Sequence, residues 1–273
     1  MAKKSKTAVA TKPETGVAKF SYGDGPTGFE NQTQEDQSVP LITVLQTNSP
    51  QCEKGHDKQI PGAEPGMFFN VATEELYDGQ DGLLFVAATT QHDYVEYKSR
   101  ENGGGFQGKH SITSPIVSAA KARSSDFGKY KTEEGNELVE TFYIFAILTD
   151  EEQTPLTPVV IPFSSTKIKG YKAWNSRVLS TAVNKKVVPL MANLCRLRTW
   201  KDKNAKGSFY NIAMEPAVEG DKFASLIDPE GELFSRAQEF NLMVNSGEKQ
   251  AMAPPDTADR GPDTSGDDGD APF

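Results

Sequence analysis

Eleven lysines and arginines lie between Phe163 and Tyr210 with one carboxylate, Asp202, among them: a net of +10 in a chain whose formal charge is -9. They are Lys167, Lys169, Lys172, Arg177, Lys185, Lys186, Arg196, Arg198, Lys201, Lys203 and Lys206. Cations at this density, without counter-carboxylates, keep a positive local field that attracts a polyanion. Tyr171, Trp174, Trp200, Phe209 and Tyr210 are interleaved with them, so both tryptophans of the chain sit in this window. Ammonium and guanidinium groups hold phosphates while a ring face stacks on an unpaired base, a combination suited to a single-stranded nucleic acid. If "CRLRTW" is a strand, its two-residue period places Arg196, Arg198 and Trp200 on one face. Trp174 lies at helical spacing from Tyr171 and Val178, which suits a core stripe slightly better than a contact.

A second set of candidate contacts surrounds three consecutive glycines in "YVEYKSRENGGGFQGKH": Tyr94, Tyr97, Lys98, Arg100, Phe106 and Lys109. Such a loop lets a backbone approach closely. It lacks the GxxxxGK[ST] of a phosphate loop, and no GxGxxG opens a helix after a strand. A flexible loop is the default reading; a strand passing through a groove is the alternative.

Catalytic signatures are scarce. The sequence holds no GxSxG, HExxH or CxxC, and Glu74, Glu75 and Glu96 show no metal-ligand spacing. Cys52 and His56 form half of a metal pattern, but His92, His110 and Cys195 are distant and unpaired, whereas structural zinc takes two close pairs. The expectation is a protein that is not an enzyme and carries no cofactor and no metal.

These residues need elements to hold them. Residues 1–38 have no apolar period and read as a mobile arm; from 246 to 273 proline, glycine and aspartate replace apolar residues, as in a disordered tail. The body between, 39–245, is expected to carry the binding surface. "VPLITVLQ", "GMFFNVAT", "GLLFVAATT", "LVETFYIFAILT" and "TPVVIPFSS" read as strands, and "LMANLCRLRTW" and "SFYNIAMEPA" as a hairpin around "KDKNAKG". "SSTKIKGYKAWNSRVLSTAV" reads as a helix capped by Ser164 or Ser165, with Gly170 costing about 1 kcal/mol relative to Ala. "PEGELFSRAQEFNLMV" puts Leu233, Ala237, Phe240 and Val244 on one stripe of a second helix. The fold class is α+β, mainly β, with about seven strands and additional helices; a closed barrel and an open sheet both remain open. No apolar run reaches the length of a membrane helix and the amino-terminal segment has no secretory pattern, so a cytoplasmic protein without a membrane partner is expected.

The acidic end completes a pattern. Asp256–Phe273 holds six aspartates and Arg260, and finishes Asp267, Asp268, Gly269, Asp270, Ala271, Pro272, Phe273. A β-rich body, a basic and aromatic surface and an acidic tail ending in Pro-Phe resemble the single-stranded DNA-binding proteins of bacteria and their phages. The resemblance is specific over about nine terminal residues and architectural elsewhere; the length and the Lys/Trp helix look more like a divergent phage replication protein. It implies an OB-type barrel that coats single-stranded DNA with little sequence preference during replication, recombination and repair, in the host cytoplasm if the chain is viral. It implies further that Asp267, Asp268, Asp270, Pro272 and Phe273 dock on replication and recombination proteins such as a polymerase, helicase or nuclease. Lys167, Lys169, Lys172, Arg177, Arg196, Arg198, Lys201, Lys203 and Lys206 would contact phosphate. Trp200, with Trp174, Tyr210, Tyr94, Tyr97 and Phe106, would meet bases. A homo-oligomer and RNA in place of DNA stay open. Two other classes compete: a virion or assembly protein without single-strand preference, and a Mg²⁺-dependent nucleic-acid enzyme.

Overall fold

Two long apolar segments pair to form the spine. The computed structural model describes residues 38–99, 103–126, 128–204 and 207–254. Its first strands are β1 (Ser38–Val39), β2 (Ile42–Val44), β3 (Phe68–Asn70), β4 (Leu76–Tyr77), β5 (Leu83–Tyr97) and β6 (Phe106–Ser111). Next come α1 (Pro115–Arg123), β7 (Tyr130–Lys131), β8 (Glu137–Thr149), β9 (Pro155–Ser164) and α2 (Lys167–Leu179). The small hairpin β10 (Ala182–Val183) and β11 (Lys186–Val187) precedes β12 (Leu194–Asn204), β13 (Gly207–Pro216), α3 (Glu232–Asn245) and β14 (Gln250–Ala251).

Strands β5 and β8 run antiparallel along nearly their whole length, from Leu84 opposite Thr149 to Tyr97 opposite Glu137, with a register shift between Ala87 and Thr89. Around this pair a seven-stranded sheet forms, with β12 and β13 beyond β5 at one end, β9 beside β8, and β6 and β7 at the other end. Its middle is buried on both faces, which explains why "LLFVAA" and "YIFAIL" read as continuous apolar runs rather than alternating ones. Leu83, Phe85, Ala87, Ile144 and Ala146 pack with Tyr171, Trp174 and Val178 of α2. Leu84, Val86, Ala88, Phe145 and Ile147 pack on the opposite side with Leu233, Ala237, Phe240 and Val244 of α3. The stripe expected for α3 is therefore the buried stripe.

The mainly β, α+β class expected from the sequence holds, and the sheets are not closed. The segment from Leu41 to Gln46 spans the opening instead. Leu41 bridges to Val160 of β9 at one edge. At the other edge the Gln46 side chain acts as a short extra strand: its Nε2 donates to the Tyr210 carbonyl at 2.9 Å, and Tyr210 N–H donates to its Oε1 at 2.8 Å. Ile42, Val44 and Phe68 of the three-stranded sheet β2–β3–β4 enter the α2-side core from there.

Several elements differ from expectation. Helix α1 lies where the sequence predicts no helix, although Ser114 accepts from Ile116 N–H as N-cap and Pro115 follows it. Only Val117 and Ala120 of α1 are buried, so its apolar period is too faint to see in the sequence. Thr166, rather than Ser164 or Ser165, precedes α2. Chain read as the start of the tail is packed on the body: β14 pairs in parallel with β1, and Met252 packs against the α3-side core. Lys109 Nζ fastens this segment by donating to the Ala251 carbonyl at 2.8 Å. Among the described residues no helix is long and apolar enough to cross a membrane.

Gln46→Ala removes both bonds at the β13 edge and is expected to cost about 1–3 kcal/mol, read as a lower urea midpoint with an unchanged slope. Trp174→Ala empties the α2-side core and is expected to cost about 3–5 kcal/mol by the same measurement.

Candidate nucleic-acid interface

The β12–β13 hairpin carries the centre of the basic window. Its ladder runs from Cys195 opposite Pro216 to Asn204 opposite Gly207, whereas β5 accompanies β12 only from Leu194 to Leu197. From Arg198 onward the hairpin is a two-stranded ribbon. The Asp78–Gly82 loop takes the place of β5 there: Thr199 N–H donates to the Gly79 carbonyl, and Gln80 Nε2 donates to the Thr199 carbonyl. Gly79 is required at this approach, since a Cβ would stand 1.9 Å from the Gly66 carbonyl oxygen and 2.2 Å from Thr199 Oγ1.

Along β12 the alternation expected from "CRLRTW" is present. Cys195, Leu197 and Thr199 are buried toward α2, while Arg196, Arg198 and Trp200 face the other way. Trp200 is 45% exposed and stands opposite Asn211 of β13. It shares this face with Arg198, and an exposed indole is what base stacking needs.

The two arginines differ. Arg196 is committed to the fold: its Nη2 donates to both carboxylate oxygens of Glu151, at 2.8 and 3.1 Å, and its Nη1 donates to the Asp81 carbonyl. Arg198 stands 3.9 Å from Glu215, and its Nε is buried without a hydrogen-bond partner among the described residues. Glu151 and Glu215 lie outside the basic window, so counting charge along the chain missed them. Arg177 is also committed, donating from Nη2 to the Met214 carbonyl on β13.

The lysines lie elsewhere. Lys201 and Lys203 are exposed and, by alternation, on the α2 side of the ribbon, where Lys201 stands opposite Tyr210. Lys169 and Lys172 are exposed on α2 itself. Gly170 lets the helix ride close on this ribbon; a Cβ there would come within 3.1 Å of the Ile212 carbonyl oxygen. That contact accounts for a glycine inside a helix. At the helix end, Lys185 and Lys186 project on the β10–β11 finger, whose turn residues Asn184 and Lys185 take φ of 52° and 64°. Lys167 at the first turn is half-buried, and burial pushes its ammonium down to about 8.

Four of the expected base contacts are not surface rings. Trp174 is 1% exposed in the α2-side core, with its indole N–H directed at Cys195 Sγ at 3.4 Å. Tyr94, 2% exposed, lies under α1 with Val117, Ala120 and Leu138. Tyr97, 5% exposed, belongs to the α3-side core, where half-buried Phe106 meets it edge-on with ring centres 6.2 Å apart. The apolar bodies of these rings are worth more in the core than in water. Tyr210 is half-buried, pressed on Gly66 so closely that a Cβ there would stand 2.5 Å from its ring. Lys206 and the tail residues Asp267, Asp268, Asp270, Pro272 and Phe273 lie outside the described residues, as does Arg100.

The histidines and carboxylates pair with each other. His92 Nε2 meets Glu140 at 3.0 Å and His110 Nε2 meets Glu96 at 2.6 Å, both on the sheet face that carries Tyr94. Burial pushes the Glu96 carboxyl up, but hydrogen bonds from Asn136, His110 and Thr132 outweigh it and hold the group below the usual carboxylate range. Among the described residues no group of three or more His, Cys, Asp or Glu is arranged to hold a metal ion.

No curated protein and no solved structure matches the chain. A family model described as Pam3 phage gp34-like protein matches residues 6–250, most of its length. The open sheet with its basic ribbon is thus a phage protein's fold, and the chain belongs to the Pam3 phage gp34-like family.

Proposed function

We propose that this phage protein binds single-stranded DNA with little sequence preference, as a non-enzymatic coat during replication or recombination. The observation that carries the reading is Trp200, exposed beside Arg198 on the outer face of the ribbon, with Lys201 and Lys203 exposed on the ribbon's other face. An indole supplies a platform to any base, because every base has a π face, and the cations of the ribbon and of α2 attract the phosphate backbone. A duplex keeps its bases stacked and offers the ring nothing. The segment Asp267–Phe273 recruits replication and recombination proteins: its aspartates meet basic residues around an apolar pocket that takes Phe273. Its ordering on binding keeps that affinity modest and exchangeable.

A mobility-shift assay with single-stranded and duplex DNA, with and without Mg²⁺, separates this reading from the two other classes. Preferential retention of the single strand is expected, falling steeply with salt as bound cations release counterions. Equal retention of both forms would favour an assembly protein, and Mg²⁺-dependent cleavage an enzyme. Trp200→Ala is expected to weaken single-strand binding by about 1–3 kcal/mol and leave the thermal midpoint in place. Unchanged binding would assign Trp200 to another partner. Deletion of Asp267–Phe273 is expected to abolish capture of replication proteins while single-strand binding stays equal or strengthens; capture that persists without the segment would overturn its assigned role.

A further inference from the structure

The central strand β5 changes character halfway: after the apolar run Leu83–Ala88 come Thr89, Thr90, Gln91, His92 and Asp93. Polar side chains in a central strand are costly unless bonded or wet, and these are half-buried where Leu83–Ala88 are buried. The covering layers part here. On one face of the sheet α2 covers Phe142, and α1 covers Tyr94 and Leu138. His92 stands opposite Phe142 and Tyr94 opposite Glu140, so these four share the face between the two helices. The sheet is also interrupted beside them. β12 accompanies β5 only as far as Val86, and β6 only from Asp93, so the edge of Ala87–His92 has no neighbouring strand among the described residues. The Ala88 carbonyl on this stretch accepts from Asn241 of α3.

A stack of rings runs toward that open edge. Tyr171 of α2 stacks on Phe142 with ring centres 4.5 Å apart and planes at 23°, and Phe142 stacks on His92 at 3.9 Å and 21°. Phe142 thus takes the imidazole face that looks toward β8, and the other face looks toward the open edge. Tyr94, 5.9 Å away along the strand and tilted by 33°, does not continue the stack. The His92 side chain is 29% exposed, and its Nε2 meets Glu140 at 3.0 Å, which holds the plane of the ring. Ammonium groups flank it: Lys172 Nζ lies 6.0 Å from the centre of Phe142, and Lys121 Nζ of α1 lies 4.6 Å from that of Tyr94. Both lysines are exposed, and neither has an ion-pair partner among the described residues. The carboxylates of this face are engaged, Glu140 by His92 and the Tyr94 hydroxyl, Glu96 by His110 and Asn136.

We propose that the end of this stack is a nucleobase site: one base of a single strand lies on the open face of His92 as the next ring, with Lys121 and Lys172 at the phosphates before and after it. The inference rests on the nucleic-acid reading above and adds to it a platform on β5, built from residues other than those around Trp200. A ring face accepts any unstacked base, so the site carries little sequence preference. Two ammonium groups flanking one base call for a phosphate on each side, which a strand supplies and a mononucleotide does not.

The full chain is irradiated with an oligothymidylate of about eight nucleotides, within the site size of a small binding module, that carries one 4-thiothymidine near its centre. Crosslinked peptides are identified by mass spectrometry, and a crosslink at or beside His92 is expected. By fluorescence anisotropy, His92→Ala is expected to weaken binding about tenfold and to lose the crosslink, whereas His92→Phe retains the affinity. Equal losses in both variants would overturn stacking as the role of the ring. Lys121→Glu with Lys172→Glu is expected to weaken binding and flatten its salt dependence, since fewer counterions are released. Thymidine 5′-monophosphate in large excess is expected to leave the oligonucleotide bound; displacement would overturn the strand in favour of a nucleotide pocket. Crosslinks confined to β12 and β13, with His92→Ala binding as the wild type does, would overturn this site and leave the Trp200 reading standing. No binding of the oligothymidylate by the wild type would overturn both. The lysines are exposed, so that double variant and the wild-type crosslink decide the matter even where circular dichroism shows His92→Ala to be unfolded.

Discussion

The alternation of side chains across a sheet buried on both faces is the constraint on which the rest of this molecule depends. Strands β5 and β8 send Leu83, Phe85, Ile144 and Ala146 to one side and Leu84, Val86, Phe145 and Ile147 to the other. Each side must be covered, and α2 and α3 are the covers. The same rule continues into β12, where it sends Leu197 inward and Arg196, Arg198 and Trp200 outward, and then sends Lys201 and Lys203 to the helix side. Charge distribution here is a consequence of the pleat. A run of cations on one strand cannot make one surface when neighbours point to opposite faces.

The open sheet follows from what stands at its edges. β9 contains Pro155, Pro158 and Pro162, which cannot donate to a ladder, and meets another backbone through Pro40 and Leu41. β13 is capped by a glutamine side chain that imitates a strand for one residue. Both edges are thereby protected from pairing with another chain, which an unguarded edge invites. The opening is filled from the β2–β3–β4 side, so the α2-side core is enclosed without a continuous ring of hydrogen bonds.

Electrostatics sorts the basic residues into those that hold the fold and those left exposed. Arg196 is bound by Glu151 and a carbonyl, and Arg177 by the Met214 carbonyl. Such contacts are the normal fate of guanidinium near a sheet edge, because its fork of donors satisfies exposed carbonyls and carboxylates together. Lys169, Lys172, Lys185, Lys186, Lys201 and Lys203 are left over as compact exposed charges without ion-pair partners among the described residues. The +10 window is therefore smaller as a surface than as a string.

The sequence by itself determined the β-rich class, the positions of the long strands, the α3 stripe, the outward face of Arg196, Arg198 and Trp200, and the segregation of charge between the middle and the end. Each of these is written in residues a few positions apart, at periods of two or of three to four. Only the tertiary structure decided that Tyr94, Tyr97 and Trp174 lie in cores, that Glu151 and Glu215 answer the arginines, that Gly170 serves a helix–strand contact, and that the sheet stays open. Those outcomes join residues far apart in the chain, such as Trp174 with Cys195 or Gln46 with Tyr210, and no local period carries that information. A ring in a sequence has the same appearance whether it will meet a base or a core. Burial decides between them, and burial is a property of the packed chain.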